Sequence, residues 1–136
     1  METITREIER ALSAGLYYLA LISTLSLPDI CAALESSNGE TSGAKYQAWY
    51  ATWLTTYPEI TGNDLYSLRC GVVHQGRLGH PKSQYSRILF TLPSTRAYLH
   101  QNIINDALNL DLETFCRDMI EAVLRWYGVY PDGWTA

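Results

Sequence analysis

An arginine and a histidine, Arg69 and His74, lie five positions apart in the segment LRCGVVHQG, residues 68–76. Histidine titrates near neutral pH, so it can take a proton from a ribose 2′-hydroxyl or give one to a leaving 5′-oxygen. Arginine keeps its charge and offers a fork of donors to phosphate oxygens, so it can stabilise the charge that develops at phosphorus. The pair therefore predicts acid–base chemistry at a phosphodiester that needs no metal ion.

These two side chains are not expected to share one helical face. Each residue of an α-helix advances by about 100°, so positions five apart differ by about 140°. A two-fold axis beside the helix would bring two arginines and two histidines into one cleft, which predicts a homodimer. The alternative interpretation is structural: Arg69 extends to solvent, and His74 interacts with the helix C-terminus, where the macrodipole favours a cation.

Charge is distributed unevenly along the chain. The formal net charge is −4, with 14 acidic residues, but no Asp or Glu occurs from Leu65 to Asn105. That stretch holds Arg69, Arg77, Lys82, Arg87 and Arg96, and also the histidines His74, His80 and His100. Clustered positive charge attracts anions, so the pattern favours a phosphate-bearing or carboxylate-bearing partner; the alternative is a solvated basic face.

A predicted loop within this stretch is rich in groups that bind nucleic acid. Its candidate contacts are Arg77, His80, Lys82, Tyr85 and Arg87. The basic side chains can contact a phosphate backbone, and the tyrosine can stack on a base. The alternative is an ordinary solvated connection with a turn at His80-Pro81.

Metal and thiol chemistry are less favoured by the spacing. Cys70 and His74 are four apart, and His80 extends the pattern to C-x3-H-x5-H, but this matches no common zinc pattern. We therefore predict no metal and no cofactor. The three cysteines, at positions 31, 70 and 116, contain no C-x-x-C pair, which is typical of a protein of the reducing cytoplasm.

The helices that must position these residues follow from apolar spacing and capping signals. A length of 136 residues with 47% hydrophobic content predicts one globular domain over 1–136. Spacings of three and four predict a long first helix from Thr3 or Thr5, a break and restart at Ser26-Leu27-Pro28-Asp29, and an end by Asn38-Gly39. The uncharged run Ala11–Leu27 is short for a membrane span, so we predict a buried helix that also serves as a subunit contact, and no membrane.

Three further helices are predicted after this pair. Thr41 or Ser42 caps a helix that carries an aromatic stripe, namely Tyr46, Trp49, Tyr50, Trp53 and Tyr57, and Pro58 prevents its continuation. Asn63-Asp64 caps a helix over about Leu65–Gln75 with Gly76 as its stop, so the Arg69–His74 motif lies on a short helix. Asp111 caps a final helix that ends at Gly128.

The period changes from helical to alternating before the final helix. Ile88, Phe90 and Leu92 alternate in RILFTL, and Leu108, Leu110 and Leu112 alternate similarly. Two strands of a small hairpin or flap are the expected result. The predicted fold class is therefore mainly α: a helical bundle with a small β-hairpin or flap inserted before the C-terminal helix.

The segment Leu68-Arg69-Cys70-Gly71-Val72-Val73-His74 resembles the R-x4-6-H motif of HEPN-domain proteins. The resemblance implies a HEPN-like helical bundle that forms a homodimer and cleaves RNA without metal, in toxin–antitoxin, antiviral or other defence systems. Arg69 and His74 would take the motif's two roles, with His74 as general acid/base and Arg69 stabilising the phosphate.

One position departs from that motif. Active HEPN members commonly carry Asn, Asp or His directly after the arginine, whereas this chain has Cys70, and a thiol replaces the hydrogen bonding of an amide poorly. An alternative is therefore a catalytically inactive HEPN-like module that binds a nucleotide or a protein, for instance a nucleotidyltransferase-type antitoxin. A third hypothesis is a helical interaction protein that makes its contacts through the aromatic face around Trp49 and Trp53.

Overall fold

The computed structural model describes residues 1–75, 87–93 and 98–129, without the side chains of residues 73–75, 87 and 129. These residues form five helices and three strands: α1 Glu2–Ser13, α2 Tyr17–Glu35, α3 Gly43–Trp53, α4 Gly62–Gln75, β1 Arg87–Thr91, β2 Asn102–Ile104, β3 Ala107–Asp111 and α5 Leu112–Val129. The predicted class, mainly helical with a small β element before the C-terminal helix, is confirmed.

The break between the first two helices was predicted at Pro28, but it lies at Gly15. Gly15 has a φ of +74°, a conformation that glycine adopts with little cost, and Leu16 N–H donates to the Ala11 carbonyl at 2.8 Å to close the turn. Pro28 lies inside the continuous helix α2 and is buried. The lost backbone hydrogen bond is tolerated there because α2 packs against the four other helices, and this packing outweighs the local preference.

Helix α2 is the central helix of the fold. Its length and composition would also allow it to cross a membrane. In this structure, however, Ala20, Leu25, Leu27 and Cys31 are fully buried in protein. One side of α2 is therefore part of the core. The prediction of a single buried helix over Ala11–Leu27 is wrong, because this run breaks at Gly15 and Leu19 is 58% exposed.

The two predicted strands are present, but they do not form a hairpin with each other. The sheet order is β1-β3-β2, and β1 pairs with β3 in parallel, with Ile88 opposite Leu108 and Phe90 opposite Leu110. The antiparallel partner of β3 is β2, across a turn at Asn105-Asp106 in which both residues have positive φ, as a two-residue hairpin turn requires. Alternation of apolar residues does not encode strand direction, so the parallel pairing could not be read from the sequence.

Strand β3 is buried along its whole length, which the alternating leucines of its sequence do not predict. It is the middle strand of the sheet, and all five of its residues are buried. Asn109 is accommodated there because its amide donates to the carbonyls of Asn102 and Ala107, each at 3.2 Å. A central strand covered on both faces can hold polar residues only when they are hydrogen-bonded.

The helix ends follow capping chemistry, with shifts from the predicted positions. Ser42 caps α3 by accepting from the Lys45 N–H, as predicted, but α3 ends at Trp53, before Tyr57. Helix α4 begins earlier than predicted, at Gly62. Asp111 caps α5 by accepting from the Thr114 N–H at 3.0 Å, as predicted. Helix α5 runs through the predicted stop at Gly128 to Val129.

Candidate functional site

Helix α4 carries the predicted pair and is anchored by its apolar face. Leu65, Leu68 and Val72 are at most 1% exposed, and the helix packs against α2 and α3. Tyr66, Arg69 and Cys70 are only half-buried, and their spacing of three and four places them on one adjoining face. This half-buried face of α4 is the candidate site.

Three described contacts hold the Arg69 side chain at this face. Its Nε lies 2.8 Å from Oδ2 of Asp29, and the two side chains are 20% and 14% exposed. Its Nη1 lies 3.9 Å from the Cys70 sulfur, and its guanidinium carbon is 5.9 Å from the ring centre of Tyr66. The arginine is therefore a fixed side chain, and the interpretation in which it simply extends to solvent does not describe it.

The surroundings of Arg69 favour its charged form. Burial works against the charge, but the Asp29 carboxylate and the Cys70 sulfur outweigh burial, and the pKa of Arg69 is raised. Burial, followed by the neighbouring Cys70, also raises the pKa of Tyr66. At neutral pH the site thus presents a cationic guanidinium beside a neutral phenol.

His74 is placed by its backbone only. Residue 74 lies on α4, one turn after Cys70, and its side chain is outside the described part of the chain. Helix α2 touches α4 close to this point, because the Tyr18 hydroxyl lies 3.3 Å from the Val72 carbonyl, which it approaches as a donor. The structure thus confirms the predicted helix for the motif, while the distance between the Arg69 and His74 side chains lies outside the description.

The predicted nucleic-acid contacts fall almost wholly outside the described residues. Arg77, His80, Lys82 and Tyr85 belong to residues 76–86, which the structure does not describe. Arg87 is the first residue of β1, and its side chain is likewise not described. The binding of nucleic acid by this loop therefore stays a prediction.

A second polar cluster, which sequence reasoning missed, joins the sheet to the helices. The Tyr57 hydroxyl donates to Oδ2 of Asp118 at 2.7 Å and lies 3.1 Å from Nε2 of His100. The Asp111 N–H donates to Nδ1 of His100 at 3.1 Å. A neutral His100 that accepts at Nδ1 carries its proton on Nε2, so this ring donates to Tyr57.

The hydrogen bonds of this cluster indicate a role in stabilising the fold. Burial, and next the hydrogen bond to Asp118, raise the pKa of Tyr57, so its proton stays in place at neutral pH. Both nitrogens of His100 are engaged within the protein. The sequence offers no signal for the cluster, since Tyr57 and Asp118 are 61 positions apart.

The aromatic stripe of α3 belongs mainly to the core. Trp49 is only 3% exposed and packs edge-on against Trp126, with ring centres 6.3 Å apart. Trp49 and Trp53 line a cleft of about 320 Å³ between α2 and α3, together with Glu35 and Lys45. Most of Trp49 is therefore buried, and the open part of the predicted interaction face is the edge of this cleft.

Metal ligands are not assembled within the described ranges. No group of three or more His, Cys, Asp or Glu residues in residues 1–75, 87–93 and 98–129 could hold a metal ion.

Comparison with protein-family models, with curated proteins and with solved structures finds no match. The resemblance to HEPN proteins therefore rests on the motif and on the helical layout alone.

Proposed function

We propose that this protein is a cytoplasmic, metal-independent endoribonuclease of the HEPN type, active as a homodimer in a toxin–antitoxin or defence system. The observation that carries the proposal is the state of Arg69. It is charged and fixed on the half-buried face of α4, five positions before His74 on the same helix. A side chain that is already ordered loses less conformational entropy when it binds a phosphate, so Arg69 is suited to stabilising charge at phosphorus.

The proposed chemistry uses the two residues in complementary roles. His74 of one copy takes the proton from a ribose 2′-hydroxyl, and the 2′-oxygen then attacks phosphorus. The bond from phosphorus to the 5′-oxygen breaks, and a protonated His74 from the second copy gives that oxygen a proton. Arg69 stabilises the negative charge on the phosphate oxygens during the displacement. The products are a 2′,3′-cyclic phosphate and a 5′-hydroxyl.

An exposed apolar surface at the start of α2 supports the dimer. Leu16 and Leu19, at the start of α2, are 51% and 58% exposed. Tyr18, between them in sequence, approaches α4 at the Val72 carbonyl. A second copy that buried this surface through a two-fold axis would bring the two α4 helices towards each other.

A second candidate function is a binding module that does not cleave. Two observations favour it: Asp29 offsets the charge of Arg69, and the position after the arginine is occupied by Cys70. Such a module would bind a nucleotide or a protein partner, for instance a nucleotidyltransferase-type antitoxin, through the same face of α4.

Cleavage of a labelled RNA pool in the presence of EDTA tests the proposal. We expect the wild-type dimer to produce 2′,3′-cyclic phosphate ends, and His74→Ala and Arg69→Ala each to lose this activity. Arg117→Ala is a matched control, because it removes an arginine of α5 that forms an exposed ion pair with Glu113. Cys70→Ala should retain activity, which would exclude a cysteine nucleophile.

Each result separates the candidates. Absence of cleavage by a well-folded dimer that still binds RNA would favour the binding module. Cleavage that survives both His74→Ala and Arg69→Ala would contradict the assigned site.

A further inference from the structure

The ion pair between Asp29 and Arg69 joins two helices that the sequence keeps 40 positions apart. No acidic residue occurs from Leu65 to Asn105, so α4 has no carboxylate of its own after Asp64. The fold supplies one from α2, with Oδ2 of Asp29 at 2.8 Å from Nε of Arg69. The Arg69 and Asp29 side chains are only 20% and 14% exposed, so water screens this pair less than a surface ion pair.

We propose, on the basis of the RNA-directed function above, that Asp29 is a positioning residue of the site. It fixes the guanidinium of Arg69 and at the same time limits the affinity of this group for phosphate. The carboxylate occupies one donor and offsets the positive charge, so an approaching phosphate is attracted less strongly. The same contact holds a long side chain in one place, and this order favours the chemical step.

Loss of the Asp29 charge should strengthen RNA binding but slow cleavage, and these opposite changes can be measured separately. Asp29→Asn removes the charge with little change of shape. An uncleavable 2′-O-methyl RNA oligonucleotide should therefore bind more tightly, by about fivefold, in a fluorescence polarisation titration at low salt. The cleavage rate at saturating cleavable RNA should fall by about tenfold, because Arg69 is held less firmly without the charge of Asp29. A loss of folding would weaken binding and slow cleavage together, so it could not produce this split.

A double-mutant cycle shows whether Arg69 transmits the effect. In the Arg69→Ala background, Asp29→Asn should leave RNA affinity unchanged. Glu121→Gln is the charge-matched control, since it removes one carboxylate from an exposed position of α5. Asp29→Glu keeps the charge and should keep the wild-type affinity.

The outcomes distinguish this inference from the function on which it rests. Wild-type protein that neither binds nor cleaves RNA would overturn both. Wild-type protein that binds RNA, with equal affinity in Asp29→Asn or with a gain that persists without Arg69, would overturn the role of Asp29 alone. Thermal unfolding followed by circular dichroism confirms that each variant is folded before these comparisons.

Discussion

The Tyr57 hydroxyl donates a 2.7 Å hydrogen bond to Oδ2 of Asp118 and so ties the connection between α3 and α4 to helix α5. The same oxygen lies 3.1 Å from Nε2 of His100, which precedes β2. One buried phenol therefore links three separate parts of the chain, including the segment that leads into the site helix.

Removal of this hydroxyl should destabilise the fold. Tyr57→Phe keeps the ring and its edge-on contact with Phe115, at 5.6 Å between ring centres, but removes the hydrogen bonds to Asp118 and His100. We expect the free energy of unfolding to fall by about 1–3 kcal/mol, measured by urea denaturation. Tyr98→Phe is the control, because Tyr98 is 67% exposed, and its effect should be within about 0.5 kcal/mol. Equal effects of the two substitutions would contradict the structural role of the cluster.

The turn between α1 and α2 should depend on the backbone conformation of Gly15 alone. Its φ is +74°, and a Cβ added there would meet no atom within 4 Å. Gly15→Ala should therefore cost about 1 kcal/mol through strain and not through a clash. Gly15→Asn should cost less, because asparagine adopts the left-handed conformation more readily. Thermal unfolding of the two variants is the measurement, and an alanine variant at least as stable as the asparagine variant would refute this account.

The start of the site helix should depend on a reciprocal cap. The Thr61 hydroxyl accepts from the Asp64 N–H at 3.1 Å, and the Asp64 carboxylate accepts from the Thr61 N–H at 3.0 Å. Thr61→Ala should lower the free energy of unfolding by about 1 kcal/mol, and Thr61→Ser should retain most of it. Hydrogen exchange should show faster opening of the first turn of α4 in the alanine variant. Unchanged exchange there would argue against the cap.

Stability should decrease at high pH because of a buried thiol. Burial raises the pKa of Cys116 from about 9 to about 11. The unfolded chain therefore loses this proton at a lower pH than the folded protein, so the contribution is complete below about pH 9 and is lost as the pH rises towards 11. We expect a loss of about 1–3 kcal/mol over this range, from urea unfolding at several pH values.

The variant Cys116→Ala isolates this effect. Tyrosine ionisation affects the variant and the wild type alike, so the difference between their pH profiles reports Cys116. The wild type should lose more stability than the variant between pH 9 and pH 11. Parallel profiles would show that the thiol does not contribute.

The positions of most elements could be predicted because local chemistry determines them. Ser42 and Asp111 cap their helices as expected, and alternation located β1 and β3 correctly. The predicted break at Pro28 was wrong, because burial of α2 among four helices compensates for the missing N–H. The predicted hairpin or flap is present as a small sheet, but β1 and β3 pair in parallel. Their direction could not be predicted, because alternation is the same for parallel and antiparallel strands.

The sequence by itself determined the helical class and placed Arg69 and His74 on one helix, since apolar period and capping residues act over a few positions. Only the tertiary structure decided that Asp29 faces Arg69 and that Tyr57 joins His100 to Asp118. These partners are tens of positions apart, and a hydrogen bond between them forms only after the packing of α2, α4 and α5 has brought them together. The helix and strand preferences of short segments do not predict such contacts. The contacts form because burial of the whole apolar core stabilises the arrangement of the helices.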